Sequence, residues 1–161
     1  MNRLICFICT FLILISLCSC GQSGEKLVKP VDFYYLTDPA HYLRNALTAE
    51  KRESVHYEDD LVALVQLYLQ GPQSNDLITP FPEKVIVRSV SVNNTTVDLR
   101  LDSSFAQLSD IDMTAACACL TLTILEITGR NRLVITSLDS HDNIIYTASM
   151  TKDQVLLSIN E

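Results

Sequence analysis

The segment Asp112–Thr128, DMTAACACLTLTILEIT, decides the fold of this chain. Its apolar residues are spread around almost the whole circumference of a helix, so we expect the helix to be buried or covered by a partner. Ser109 or Asp110 lies near its start as a capping residue, and Gly129 follows its end. Its many small residues would let it pack closely against a sheet.

The two cysteines of this helix are expected to be core residues. Cys117 and Cys119 are two positions apart, so on a helix they point about 200° away from each other. In that geometry a disulfide between them would be strained, and they could not share a metal ion. The other four cysteines all lie within the first 20 residues, so no disulfide framework is predicted for a monomer.

Strands are predicted on both sides of this helix. Residues 85–92 and 95–101 alternate apolar and polar residues, and Asn93-Asn94 between them tolerates the positive φ of a tight hairpin turn. Two further strands are predicted at 132–138 and 144–150. Val155, Leu156 and Ile159 suggest a short C-terminal segment that packs back on the domain.

In the N-terminal half of the chain, the two clearest predicted elements are one strand and one helix. Residues 31–36 are aromatic and β-branched, which is typical of a strand. A helix is predicted over 57–70, with three acids in its first turn and Gly71-Pro72 ending it. Its apolar face consists of Leu61, Leu64, Val65 and Tyr68.

Two connecting segments are less regular. Residues 47–56 follow no clean period and are assigned as a second strand, and residues 73–83 are predicted to be a loop pinned to the core by its apolar side chains. Together the elements predict an α+β fold, in which a small, mostly antiparallel sheet of about four to five strands carries two helices.

The N-terminus resembles a bacterial lipoprotein signal. A cationic head precedes the apolar run Leu4–Leu17, which is shorter than the ~20 residues of a spanning helix. In Leu17-Cys18-Ser19-Cys20, a Leu and two small residues precede a Cys, the pattern that is cut before a lipidated Cys. Cys20 is therefore the predicted lipidation site, and an uncleaved anchor helix is the alternative.

This interpretation divides the chain into three parts. Residues 1–19 form the signal peptide, residues 20–30 the lipidated N-terminus and a flexible leash, and residues 31–161 the folded domain. Because two acyl chains hold a protein stably on a membrane, we expect the domain to lie at the extracytoplasmic face.

A set of short motifs in a fixed order carries a family resemblance. Leu69-Gln70-Gly71-Pro72 is followed by Leu77, Pro80 and Pro82, then by Ser89-Val90-Ser91-Val92, Val97-Asp98-Leu99 and Phe105. This order resembles the GerMN domain of bacterial sporulation and germination lipoproteins, here in a single copy where the sporulation lipoprotein has two. The fold-forming residues of the motif would be Gly71, Pro72, Leu77, Pro80, Val97, Asp98, Leu99 and Phe105.

The resemblance implies protein–protein assembly in the cell envelope, chiefly without catalysis. The family is similar in fold to the ring-building modules of secretion and sporulation machines. The expected partners are another envelope protein, a second copy of the chain or peptidoglycan. The family also implies a possible role in sporulation or germination. Two alternative functions are a wall-modifying enzyme with a carboxylate pair and a sensor of soluble ligands.

The sequence contains no catalytic or cofactor-binding motif. His41, His56 and His141 have no metal-ligand spacing, and neither a phosphate-binding loop nor a nucleophile motif is present. We therefore expect no metal, no cofactor and no enzymatic activity. The formal charge of −7 argues against nucleic acid as a partner.

Overall fold

The computed structural model describes residues 30–38, 47–53 and 60–159, with side chains up to residue 155. In chain order its elements are β1 (Pro30–Thr37), β2 (Leu47–Glu53), α1 (Leu61–Leu69), β3 (Leu77–Ile78), β4 (Val87–Val92), β5 (Thr96–Asp102), a 3-10 turn (Phe105–Gln107), α2 (Asp110–Thr128), β6 (Arg132–Leu138), β7 (Ile144–Met150) and α3 (Lys152–Ile159).

The described strands form two sheets. One has three strands in the order β2-β1-β3, and all its pairs are antiparallel. The other has four strands in the order β4-β5-β6-β7. Its β5–β6 pair is parallel, because α2 carries the chain across the sheet between these two strands.

The long helix α2 packs against both sheets. It contacts β1 of the three-stranded sheet and β5, β6 and β7 of the four-stranded sheet. Every residue from Ala116 to Leu125 is buried. Ser109 caps its start by accepting the Asp112 N–H, and Gly129 ends it with a left-handed φ of 65°. The prediction of a buried, capped helix at this position is confirmed.

Alternation along the strands builds the rest of the core. Val97, Leu99 and Leu101 of β5 are fully buried, as are Leu133 and Ile135 of β6. The residues between them point to the other face of the sheet, which is the period-two pattern of a half-buried strand. This one-sided sheet and α2 share a single hydrophobic cluster with β1 and α1.

The α+β class is confirmed, while the strands are divided differently than expected. Instead of one sheet of four to five strands, the described residues form two sheets, and they include a third helix, α3, after β7. The predicted strand at 47–56 is present as β2, and its last three residues lie outside the described residues. Val155 of α3 is buried, so the C-terminal segment packs back on the domain.

Three local predictions need correction. The first helix begins at Leu61, and Asp60 is its N-cap, accepting the Ala63 N–H; residues 57–59 lie outside the described residues. Leu77 and Ile78 form a short strand inside the predicted loop, because they pair with the end of β1.

The turn between β4 and β5 is also different from the prediction. Within the described residues, positive φ occurs at Gly71, Gly129 and Asp142, so Asn93 and Asn94 do not adopt it. The hairpin instead closes with the Asn93 N–H donating to the Thr96 carbonyl at 2.8 Å. The positive φ of a turn appears at Asp142, between β6 and β7, where the Asp139 carboxylate accepts the N–H groups of His141 and Asn143.

Candidate functional site

The turn that follows α1 carries the first four motif residues. Gly71 has a φ of 102°, in a region that residues with a Cβ rarely adopt. A Cβ built there would meet Thr79 at an ordinary 3.7 Å, so backbone conformation and not lack of space favours glycine. Pro72 and Leu77 are half-buried, and Pro80 is buried.

Two charged residues of β2 hold this turn against the sheet. Glu50 and Arg52 are two positions apart and therefore lie on the same face of the strand. The Arg52 Nε donates to the Glu50 carboxylate at 2.6 Å, and its Nη2 donates to the Gly71 carbonyl at 2.7 Å. The other Glu50 oxygen accepts the N–H groups of Gln73 and Ser74, both at 2.8 Å.

We call this arrangement the Glu50–Arg52 clamp. Its two side chains are only 10% and 11% exposed, so both charges are largely removed from water. The Arg52 guanidinium also lies over the Phe33 ring, 5.2 Å from its centroid, and 5.9 Å from that of Tyr35. Because each charge has several partners, the clamp offsets its desolvation by hydrogen bonds and a cation–π contact.

An aromatic cluster lies beneath the clamp. The Tyr68 ring stands 4.9 Å from Phe33 and 5.1 Å from both Tyr35 and Phe81, measured between ring centroids. The Tyr35 hydroxyl donates to the Tyr68 carbonyl at 2.8 Å, and the Tyr68 hydroxyl donates to the Tyr34 carbonyl at 2.6 Å. Burial raises the pKa of Tyr35 and of Tyr68, so both hydroxyls remain donors.

Side chains from both α1 and α2 hydrogen-bond to the backbone of β1. The Tyr34 N–H donates to the Thr123 hydroxyl of α2 at 2.9 Å, while the Tyr34 carbonyl accepts from Tyr68. No strand in the described part of the chain pairs with these two backbone groups, and side chains take the place of a neighbouring strand. The three-stranded sheet is thereby joined to both helices.

The remaining motif residues belong to the four-stranded sheet. Val97 and Leu99 are fully buried, whereas Asp98 points to the opposite face and accepts the side-chain amide of Asn93 at 2.9 Å. Phe105 is fully buried in the 3-10 turn, with its ring 6.0 Å from that of Tyr146. The motif residues thus form two separate groups, one around the turn at Gly71 and one in this sheet, and each contributes to packing.

The reactive side chains that the structure describes are scattered. Cys117 and Cys119 are buried and unpaired. Burial raises the pKa of the Cys119 thiol to about 12 and also raises that of Cys117, which contacts the Tyr146 hydroxyl at 3.4 Å. His141 is exposed in a turn. Across residues 30–38, 47–53 and 60–159, no three His, Cys, Asp or Glu side chains come together as metal ligands.

The predicted lipidation site and two of the three histidines are not among the described residues. Cys20, His41 and His56 lie outside the described residues. Among the helices that are described, α2 is long and apolar enough to cross a membrane. Most of it is buried inside the domain, however, which is the behaviour of a core helix in a folded protein.

Some residues that organise the structure were not singled out from the sequence. The sequence did contain a signal for the clamp. Glu50 and Arg52 carry opposite charges and are two positions apart on a predicted strand, so they lie on the same face and can pair. Gln66 gave no signal, yet its side-chain amide donates to the Val85 carbonyl at 3.1 Å and accepts the Val87 N–H at 2.8 Å. Thr123 gave none either, because a threonine in an apolar helix is ordinary.

The fold agrees with solved structures of one class of domain. The tandem GerMN domains of the sporulation protein GerM from Bacillus subtilis superpose with a TM-score of 0.59 at 16% identity, covering 84% of this chain and 50% of that one. The first GerMN domain of the same protein gives a TM-score of 0.55 at 16% identity, covering 68% of this chain and 82% of that one. This chain thus spans half the length of the tandem structure.

A family model confirms this class from the sequence. The Germane family, described as "Sporulation and spore germination", matches residues 32–139. The match spans most of the chain, and it includes both groups of motif residues. The chain belongs to the Germane family and has a GerMN-type domain. No curated protein matches it.

Proposed function

We propose that this chain is a lipid-anchored, non-enzymatic binding module that assembles with other proteins at the outer face of a bacterial cell membrane. The single observation that carries the proposal is the order of its parts: residues 1–19, which resemble a lipoprotein signal, and Cys20 precede a GerMN-type domain. The relatives with this fold are domains of a sporulation protein, which supports a role in sporulation or germination.

The use of the motif residues also supports a binding role. Gly71 shapes a turn, Val97 and Leu99 fill the core, and Phe105 is fully buried in the 3-10 turn that precedes α2. These residues determine the shape of the domain, and we infer that the domain acts through the surface that this shape presents. The exposed apolar residues offer contact points for a partner; they include Ile86, Ile111, Ile144 and Ile145.

Fatty-acid labelling tests the anchor. Cells that express the full chain are grown with a labelled fatty acid, and the protein is isolated from the membrane fraction. We expect label on the natural chain and on Cys18→Ala, the matched control, and none on Cys20→Ala, because among the four cysteines of the first 20 residues only Cys20 follows a small residue, Ser19. Label on Cys20→Ala would show that lipid is attached elsewhere.

Affinity purification tests the assembly role. The full chain and a Leu99→Ala variant with a weakened core are cross-linked in intact cells and then purified from the envelope. We expect one reproducible envelope protein, or the chain itself, with the natural sequence, and less of it with the variant. Recovery of peptidoglycan fragments alone would favour wall binding, and their hydrolysis by the pure protein would contradict the non-enzymatic role.

A further inference from the structure

The outer strands of the two sheets differ in how their free edges are protected. Exposed strand edges pair with other strands unless charges, bulges, prolines or covering groups prevent it. The β2 edge carries four consecutive charged residues, Glu50–Glu53. The β4 edge has an irregular register between Val87 and Ser89, with Arg88 at that point. Its first N–H, that of Val87, donates to the Gln66 side chain, which also donates to the Val85 carbonyl just before the strand.

Among the residues that the structure describes, the β7 edge carries no charged residue of its own and no side chain that occupies its backbone groups; the Arg132 guanidinium of β6 reaches it only at the Ser149 hydroxyl, at 3.2 Å. Its seven residues, IIYTASM, include no charge and no proline. In the part of the chain that the structure describes, its only strand partner is β6. Its single irregularity lies at its first residues, so Tyr146–Met150 keep a regular register. Ile144 and Ile145, the first two residues of β7, are 67% and 48% exposed, so this strand also presents two neighbouring apolar side chains to a partner.

We propose that β7 pairs antiparallel with β7 of a second copy of this chain, so that two four-stranded sheets continue as one sheet of eight strands. Centred on Thr147, the pairing places Thr147 against its own copy and Ile145 opposite Ser149. Antiparallel pairing of identical strands is symmetric, so the same patch serves both copies. Because β7 is uncharged, pairing two acidic chains there brings no like charges directly together.

The β7–β7 contact is small, so the dimer depends on the high local concentration that the membrane provides. One strand pair buries less than the roughly 1,200 Å² of a stable interface, so the dimer is weak when the protein is dilute. This inference rests on the proposed lipid anchor, because tethering raises the effective concentration of the copies. A two-fold axis along the membrane normal would leave both N-terminal anchors on the same side.

Disulfide cross-linking in membranes tests the pairing. The full chain is expressed with Thr147→Cys, and the membranes are treated with a mild oxidant. The matched control is Ser91→Cys, which is also exposed but lies on the protected β4 edge. We expect about tenfold more covalent dimer from Thr147→Cys than from Ser91→Cys, since only residues on the two-fold axis come within disulfide distance of themselves.

A charge at the same position provides a second, independent readout. Thr147→Lys would place two ammonium groups opposite each other, so chemical cross-linking through native groups should give about tenfold less dimer than the natural chain. Its melting curve should match that of the natural chain, because Thr147 is exposed. Fatty-acid label is measured on the same membranes, so that the anchor and the pairing are judged separately.

The outcomes separate the two proposals. Labelled protein that gives equal dimer from Thr147→Cys and Ser91→Cys, or none from either, overturns the β7 pairing and leaves the anchor standing. Unlabelled protein that still cross-links at Thr147 supports the pairing and overturns the anchor. Cross-linking of Thr147→Cys to a different envelope protein, and not to itself, overturns the choice of a second copy as the occupant.

Discussion

The two sheets of this domain are stabilised by different kinds of interaction. The four-stranded sheet packs its apolar face on α2, with Val97, Leu99 and Ile135 fully buried. The three-stranded sheet also buries Phe33 and Tyr35 in this core, and it adds polar contacts such as the Glu50–Arg52 clamp. The Tyr34 N–H donates to the Thr123 hydroxyl, and the Tyr34 carbonyl accepts the Tyr68 hydroxyl. Apolar packing tolerates gradual change, whereas a desolvated charge pair depends on both partners.

This difference predicts which substitutions should lower the stability of each sheet most. In the four-stranded sheet the loss of a side chain should cost free energy in proportion to the volume removed. In the three-stranded sheet the loss of one charge should cost more than the loss of both, because the remaining charge keeps its desolvation without its partner. The substitutions below separate these two behaviours.

The largest effect is expected in the core of the four-stranded sheet. Leu99→Ala should lower the free energy of unfolding by about 2–5 kcal/mol, because Leu99 is fully buried and its truncation leaves a cavity. Urea denaturation followed by circular dichroism measures it. Thr136→Ala on the other face of the same sheet is the control, with a change within about 0.5 kcal/mol. Equal effects would contradict the assignment of the two faces.

The next effect is expected at the clamp. Arg52→Met should cost about 3 kcal/mol, because it leaves the Glu50 carboxylate largely buried with no cation. The double variant Glu50→Gln with Arg52→Met should cost less than Arg52→Met alone. Denaturation of both variants in the same buffer measures this. A double variant less stable than the single one would mean that the pair itself contributes the stability.

A smaller effect is expected at the turn that the clamp holds. Gly71→Ala should cost about 1 kcal/mol, because a φ of 102° strains any residue with a Cβ. Gly129→Ala is the control for backbone strain without any side-chain contact, because Gly129 also has a positive φ, of 65°, and no atom lies within 4 Å of the added Cβ. Both variants should therefore melt lower than the natural chain. An unchanged melting temperature for Gly71→Ala would show that the turn does not require this conformation.

The smallest effect is expected from the thiols of α2. Burial raises the pKa of Cys119 from 9.0 to about 12, so the folded state keeps its proton after the unfolded state has lost it. The stability from this group is therefore complete below pH 9 and declines as the pH rises toward 12. In a chain of residues 21–161, a thiol reagent at pH 8 should modify Cys117 and Cys119 only after denaturant is added. Rapid modification of the folded chain would contradict their burial.

The same contrast explains how much could be predicted from the sequence. The strands of the four-stranded sheet and helix α2 were predicted correctly, because alternation and an apolar helix report burial directly. The division into two sheets was not, because the pattern of a strand does not specify which strand it pairs with. The two-residue strand β3 was missed because it pairs only where the fold brings it beside β1. The clamp was missed for a related reason: a strand with Glu50 and Arg52 on one face looks solvated until Gly71 and Ser74 are placed over it.

The hairpin shows a limit of residue preferences. Asn93-Asn94 tolerates positive φ, yet the turn closes without it, while Asp142 adopts a φ of 61° in the other hairpin. At that turn the Asp139 carboxylate accepts the side-chain amide of Asn143 and the backbone N–H groups of Asn143 and His141, and these hydrogen bonds lower the pKa of Asp139. The local hydrogen bonds of each turn, and not the tolerance of a residue type, decide which conformation forms.

The intact mass of the full-length protein extracted from membranes tests the central claim most directly. We predict a mature chain that begins at Cys20 and carries a diacylglycerol on its sulfur, and we predict that Cys20→Ser removes that added mass. A membrane-extracted chain that still begins at Met1, or one that begins at Cys20 without lipid, would contradict the account.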